Sequence, residues 1–164
     1  QYLAALKEYL PEAFSDSYLA ETAPLMGIRE TRRIKGEYTL TLDDYISRRS
    51  FSDEIARNSY WLDCHPSGSG KEAFKASPDD NYKKGDSHGI PFRCLVPESI
   101  KNLLVAGRCI SVERIVLSST RVMPNCLATG EAAGIGAAIA VKTNTDVCNI
   151  SGEQIREEIE SKSD

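Results

Sequence analysis

Two histidines, His65 and His88, are the side chains of this 164-residue chain that would exchange protons near neutral pH without help. Each is a candidate general acid or base, although both flank a polar stretch where a solvated histidine is commonplace. Arg29, Arg32 and Arg33 fall close together and Arg121 stands further on, and a guanidinium can clamp a carboxylate or phosphate bidentately. The plainer role of the first three is pairing with neighbours such as Glu30 and Glu37. Arg121 differs, because it lies just ahead of a small-residue helix. Cys64, Cys94, Cys109, Cys126 and Cys148 make an odd count with no C-x-x-C spacing. Cys64, His65, His88 and Cys94 could be imagined as a zinc site. Adjacent Cys64 and His65 would point to opposite faces of a strand, however, so no metal is expected.

The densest signal runs from Asn102 to Val141. An apolar strand, Leu103–Ala106, leads into Gly107, where a backbone without a Cβ can approach a ligand closely. Pro124 then sits where the first turn of a long helix to about Lys142 would begin, since its missing N–H costs nothing there. The amides of Asn125, Cys126 and Leu127 would point out of that helix with the positive end of its dipole, which suits an anionic or electron-rich atom. Gly130, Ala133, Gly134 and Ala137 would form a small face for close packing on a sheet. A tightly packed core helix with no ligand is the competing reading.

Around this segment the chain must supply a scaffold. Tyr2, Leu3, Leu6, Tyr9 and Leu10 have helical spacing up to Pro11. Ile28 to Leu42 alternates as a strand would, and Thr41 with Asp44 reads as the cap of a helix over 42–49. Ser59–Cys64 and Ile90–Val96 are further strand candidates. Residues 66–89 form a polar loop unable to bury much, and Ser151 with Gln154 caps a last helix bearing Ile155 and Ile159. The pattern is mixed α and β, an α+β class. It divides into a helical lead-in (1–24), a β-rich region (25–100) and a terminal strand-and-helix region (101–164).

These blocks together resemble a bacterial family of FAD-dependent oxidoreductases in the glutathione-reductase-like superfamily. The resemblance is carried by Gly27-Ile-Arg-Glu-Thr-Arg-Arg-Ile34, Gly36-Glu-Tyr-Thr-Leu40 and Gly89-Ile-Pro-Phe-Arg-Cys-Leu-Val-Pro97. Leu104-Val-Ala-Gly-Arg-Cys-Ile-Ser111 and Arg121-Val-Met-Pro124 extend it, so that it runs from about Leu25 to Lys142. It implies that the 101–164 region is the terminal strand and helix of a Rossmann-like FAD-binding domain. Gly107, Arg108, Cys109 and the amides of Asn125, Cys126 and Leu127 would then contact the flavin, with antiparallel β-structure on the substrate side. Arg108 stands where many members carry an acid for the ribityl hydroxyls, and a cation there could instead meet the pyrophosphate. The strand, G-x-G-x-x-G turn and helix that hold the ADP half in such proteins do not occur in this sequence. The expectation is therefore a carboxy-terminal part whose partners are a small-molecule substrate and a separate FAD-binding amino-terminal half. Alone, it would bind FAD weakly or not at all.

Composition narrows the field further. Twenty basic against 24 acidic residues give a net charge of −4, which argues against a nucleic-acid binder. Asn125–Val141, the longest apolar run, is rich in Ala and Gly and carries Glu131, so a buried soluble helix is expected rather than a membrane span. Cysteine usage and the lack of a signal segment fit a reducing, cytoplasmic setting, and the opening Gln1 suggests a cut within a longer chain. No G-x-S-x-G elbow supports a hydrolase. Hydride transfer to a flavin is the expected reaction, with His65, His88 and Arg121 as candidate catalytic groups. The alternative is a non-catalytic interaction module that keeps the flavoprotein fold.

Overall fold

The structure is a computed structural model that describes residues 1–64 and 82–161. Its helices are α1 (Tyr2–Tyr9), α2 (Pro11–Phe14), α3 (Leu42–Ile46), α4 (Arg114–Thr120), α5 (Met123–Thr143) and α6 (Gly152–Ser161). Strands β1 (Glu54–Asn58) and β2 (His88–Pro91) pair antiparallel, with Asn58 opposite His88 and Glu54 opposite Pro91. Helices plus a small antiparallel sheet make the class α+β.

Local chemistry explains where several elements start and stop. Pro11 opens α2 at a first-turn position, as expected, but α1 and α2 bury no residue, so the apolar stripe of Tyr2, Tyr9 and Leu10 stays exposed. At α3 the Asp44 amide donates to Thr41 Oγ1 (3.2 Å) while the Thr41 amide donates to Asp44 Oδ2 (2.9 Å), a complete capping box. The helix stops at Ile46, three residues short of the expected end, with Arg48 in the left-handed region at φ 54°. A second box caps α6, where Ser151 and Gln154 exchange bonds of 3.0 and 3.2 Å. Asn144, also left-handed, closes α5.

The strand expectations were mostly overturned. Residues 28–41 form no strand and make only the isolated bridges Gly36–Pro97 and Leu40–Val112, while Leu42 already opens α3. At Gly36 a Cβ would lie 2.8 Å from Ser111 Cβ and 3.0 Å from the Arg93 carbonyl, so the crossing is tight. Ser59–Cys64 is not a strand, because Asn58 Oδ1 accepts the Tyr60 amide (3.0 Å) and turns the chain. β2 ends at Pro91 and gives way to a 3-10 turn over Phe92–Cys94. Leu103–Ala106 belongs to no ladder and is tied to Leu95 by the Val105 amide alone (2.9 Å). Conversely, α4 forms between Gly107 and Pro124, a stretch to which the sequence reading gives no helix. Its β-branched and hydroxyl residues are poor helix formers, yet Val116 through Thr120 are all buried and tertiary packing overrides propensity.

The core gathers Leu40, Tyr45, Ile90, Leu95, Leu117 and Ile155, each fully buried. Side chains of this kind contribute roughly 1.5–3 kcal/mol apiece when taken out of water. Backbone bonds from Ile34 to Cys109 (2.9 Å), Leu40 to Ser111 (3.1 Å) and Ser111 to Cys94 (2.9 Å) tie the middle of the chain to the segment before α4. Most of the polar loop expected over 66–89 lies outside the described residues. In its last part, Lys83 to Gly85 are exposed, but Tyr82 stacks on Tyr45 at 4.4 Å, and His88 and Gly89 are buried.

α5 corrects the sequence reading in two ways. It is not buried all round: only Asn125, Thr129, Ala132, Gly136 and Ala140 are, at helical spacing along one stripe. The close approach is made by Gly136, where a Cβ would lie 3.2 Å from Ile155 Cδ1 and 3.3 Å from Phe92 Cζ. Gly130 and Gly134, expected to pack, have nothing within 4 Å of where a Cβ would stand and face outward with Leu127 and Val141. Among the described residues no helix is long and apolar enough to cross a membrane.

Candidate functional site

Gly107 adopts φ +72°, a conformation that L side chains rarely tolerate, so glycine is required by the turn itself. Its amide donates to Thr129 Oγ1 (3.0 Å), and Thr129 in turn donates to the Asn125 carbonyl one turn back (2.8 Å). One threonine therefore locks the end of the 103–106 segment onto the first turns of α5. Cys126 reinforces this contact, its Sγ lying 3.9 Å from the Cβ position of Gly107. Thr129 is absent from the sequence-based candidates, and nothing but its helical spacing from Asn125 and Cys126 could have signalled it.

A second buried set fixes α5 against the sheet. Asn125 Nδ2 donates to Asn58 Oδ1 (2.8 Å), Asn58 Nδ2 donates to Ser119 Oγ (2.7 Å), and Ser119 Oγ donates to the Tyr60 carbonyl (2.6 Å). These groups are 6% exposed or less, and buried amides satisfied in this way hold one geometry. The Asn125 side chain is thus a positioning group rather than a surface contact.

The amide expectation changes accordingly. The Cys126 amide donates to the Val122 carbonyl (3.1 Å), so it is already the first bond of the helix, and Leu127 follows inside the ladder. Among the described residues, the amides of Met123 and Asn125 are left over at this end of the helix, because Pro124 has none. Leu127 still faces out, with its side chain 74% exposed.

Beside this end lies an arginine cluster. Arg108 Nε donates to the Arg121 carbonyl (3.3 Å), which places the residue after Gly107 against the residue that caps α4. Arg121 is nearly buried; its Nη2 donates to the Asp63 carbonyl (2.8 Å) and its Nη1 to Glu30 Oε2 (3.4 Å). Glu30 also takes Arg114 Nε at 3.2 Å and Arg33 Nη1 at 3.7 Å, and Arg29 reaches Asp63 at 4.0 Å. Of the sequence candidates, Gly107, Arg108, Cys109, Arg121 and Cys126 are thereby brought together. Arg32 takes no part in these contacts and stays exposed.

The histidines fare differently. His65 lies outside the described residues. His88 is fully buried, with Nδ1 hydrogen-bonded to the Tyr82 hydroxyl and Nε2 without a partner. Burial, helped by the charges of Arg57 and Arg48, lowers its pKa to about 4, so the ring is neutral at physiological pH. A sealed, neutral imidazole is poorly placed to exchange a proton with substrate. All five cysteines are free thiols. Cys94 is buried and its pKa is pushed up to about 12, so it packs rather than reacts. Burial also raises Cys126, against which Arg108 works by stabilising the thiolate. No group of three or more His, Cys, Asp and Glu able to hold a metal occurs among the described residues.

A family model described as FAD dependent oxidoreductase matches residues 1–159. The chain belongs to the FAD-dependent oxidoreductase family. No curated protein and no solved structure matches it. The family implies FAD, and the Gly107 end of α5 suits part of that cofactor: a glycine turn without a side chain, leftover amides at a helix N-terminus, and two guanidiniums alongside. The clefts of about 240 and 480 Å³ elsewhere have none of these residues in their walls.

Proposed function

We propose that this chain is the carboxy-terminal, flavin-facing part of an FAD-dependent oxidoreductase and that it acts with an amino-terminal half bearing the dinucleotide-binding turn. The observation that carries the reading is the Gly107–Thr129 lock, which holds a bare glycine turn against the N-terminal end of a 21-residue helix. The outward face of that helix, with Leu127, Gly130 and Gly134, offers a flat surface with little side chain to obstruct a planar ring or another element. The extended 103–106 segment, which has no sheet neighbour here, would find one in the other half, in the manner of a Rossmann-like sheet of the glutathione-reductase-like superfamily.

Bound flavin supplies the hydride chemistry, at N5 of its ring. This chain's residues would orient and shield it. The Met123 and Asn125 amides and Arg108 present positive charge to the cofactor, Cys109 lies beside the turn, and Arg121 holds the substrate side of the same turn. The test is to express the whole gene, including whatever lies upstream, and to record the visible spectrum before and after adding FAD. Flavin absorbance in the purified protein, or gained on addition, is the expected result. A colourless protein that stays colourless with FAD would support an interaction module instead.

A further inference from the structure

The glycine turn gathers two thiols, Cys109 and Cys126, to which the proposed hydride chemistry gives no task. Cys126 Sγ lies 3.9 Å from where a Cβ on Gly107 would stand, so it rests against the start of the turn. It also donates to the Arg121 carbonyl (3.6 Å), the same oxygen that accepts Arg108 Nε at 3.3 Å. Residues 107 and 108 thus both reach the surroundings of Cys126, and Cys109 is the next residue, closing the same 3-10 turn. The two thiols differ in exposure, for Cys109 is exposed and Cys126 half-buried. Burial raises the Cys126 pKa, Arg108 works against that, and a thiolate at Cys109 is close enough to raise it further. An exposed thiol meets a reagent from solution first, while its half-covered neighbour is better placed to react from within the chain. The other cysteines are sited differently. Cys94 is sealed in the core, Cys64 Sγ donates to Ser118 Oγ (3.1 Å), and Cys148 lies beyond the far end of α5.

We propose that Cys109 and Cys126 are a redox-active dithiol, oxidised by a small disulfide of the glutathione type to a Cys109–Cys126 disulfide that fastens the glycine turn covalently to α5. The Cys109 thiolate attacks the small disulfide, forming a mixed disulfide and expelling one small thiolate. The Cys126 thiolate then attacks the Cys109 sulfur and expels the second. Two protein thiols and one small disulfide become one protein disulfide and two small thiols, which carry away the two protons and two electrons. The turn, now tied to α5 by the Gly107–Thr129 hydrogen bond, then gains a covalent tie beside it. The pair does not rest on the flavin reading, because neither thiol nor oxidant requires FAD.

The experiment incubates the chain in glutathione buffers of rising oxidised share, traps the remaining thiols with N-ethylmaleimide in denaturant and maps the tryptic peptides. In reduced buffer all five cysteines should carry the label. In oxidised buffer Cys109 and Cys126 should lose it together, and the peptides 109–114 and 122–142 should appear joined within one chain by non-reducing electrophoresis. Dithiothreitol should restore both labels. Cys126→Ser should stop at the first step, with glutathione left on Cys109, and Cys109→Ser should yield no joined pair. Cys148→Ser should leave the pair unchanged. Glutathione on Cys148 while Cys109 and Cys126 stay fully labelled would overturn the dithiol, since the oxidant would have acted elsewhere. Peptides joined through another cysteine, or only between two chains, would overturn it equally. A joined pair in a whole gene product that never takes up FAD would leave the dithiol standing and remove the flavin reading alone.

Discussion

The two faces of α5 have similar residues and opposite environments. On one, Ala132, Gly136 and Ala140 are buried and Gly136 lies against Phe92 and Ile155; on the other, Leu127 and Val141 are exposed and, among the described residues, nothing lies within 4 Å of where a Cβ on Gly130 or Gly134 would stand. Small residues on the inner face are there because the neighbours leave no room. On the outer face the described residues give no such reason, and the proposed flavin or partner half would supply one. Composition alone could not separate the two, because a stripe of Gly and Ala reads the same whichever way it points.

The sharpest way to break the comparison is to enlarge the inner glycine. Gly136→Leu must displace Ile155 and Phe92, and should cost about 3 kcal/mol in urea unfolding of the chain. No loss would mean that the inner face is not packed as described.

The buried side also predicts a pH dependence, through His88. Its folded pKa of about 4 lies below the ordinary 6.5, so between these values the unfolded chain binds more protons than the folded one. Its contribution is therefore fully present above pH 6.5 and is lost as pH falls towards 4. By pH 4.5 the loss should reach roughly 2–3 kcal/mol relative to pH 7. His88→Phe should flatten that part of the profile, whatever it does to stability at pH 7. An unchanged slope would remove the buried neutral histidine.

The smallest effect belongs to the outer face. Gly134→Ala adds a methyl where there is open space and should stabilise the chain by about 0.5–1 kcal/mol through helix propensity. A destabilised Gly134→Ala chain would show that this face is already packed.

Much of this site was readable in the residues before the fold was known. Pro124 marks the start of α5 by its own backbone preference, and the Thr41–Asp44 and Ser151–Gln154 boxes mark helix starts by short-range hydrogen bonds. Gly107 and Arg121 could likewise be singled out from their neighbours in the chain. What could not be read depends on partners distant in sequence. Glu30 meets Arg114 and Arg121 across more than 80 residues, and Asn58 meets Asn125 across 67. The strand errors share that cause. Residues 28–42 and 103–106 have strand chemistry, but a ladder needs a neighbour, and these segments find only isolated bridges and single bonds. Gly136 rather than Gly134 became the contact because Phe92, in the turn after β2, and Ile155 of α6 decide which stripe of α5 is covered.

The most direct measurement of the central claim is the flavin content of the whole gene product carrying Leu127→Asp. Leu127 is exposed in this chain, so urea unfolding of the chain alone should be unaffected within about 0.5 kcal/mol. If the outer end of α5 faces the flavin and its partner half, a carboxylate there should reduce bound FAD about tenfold or more. Undiminished flavin in the Leu127→Asp protein would contradict that placement.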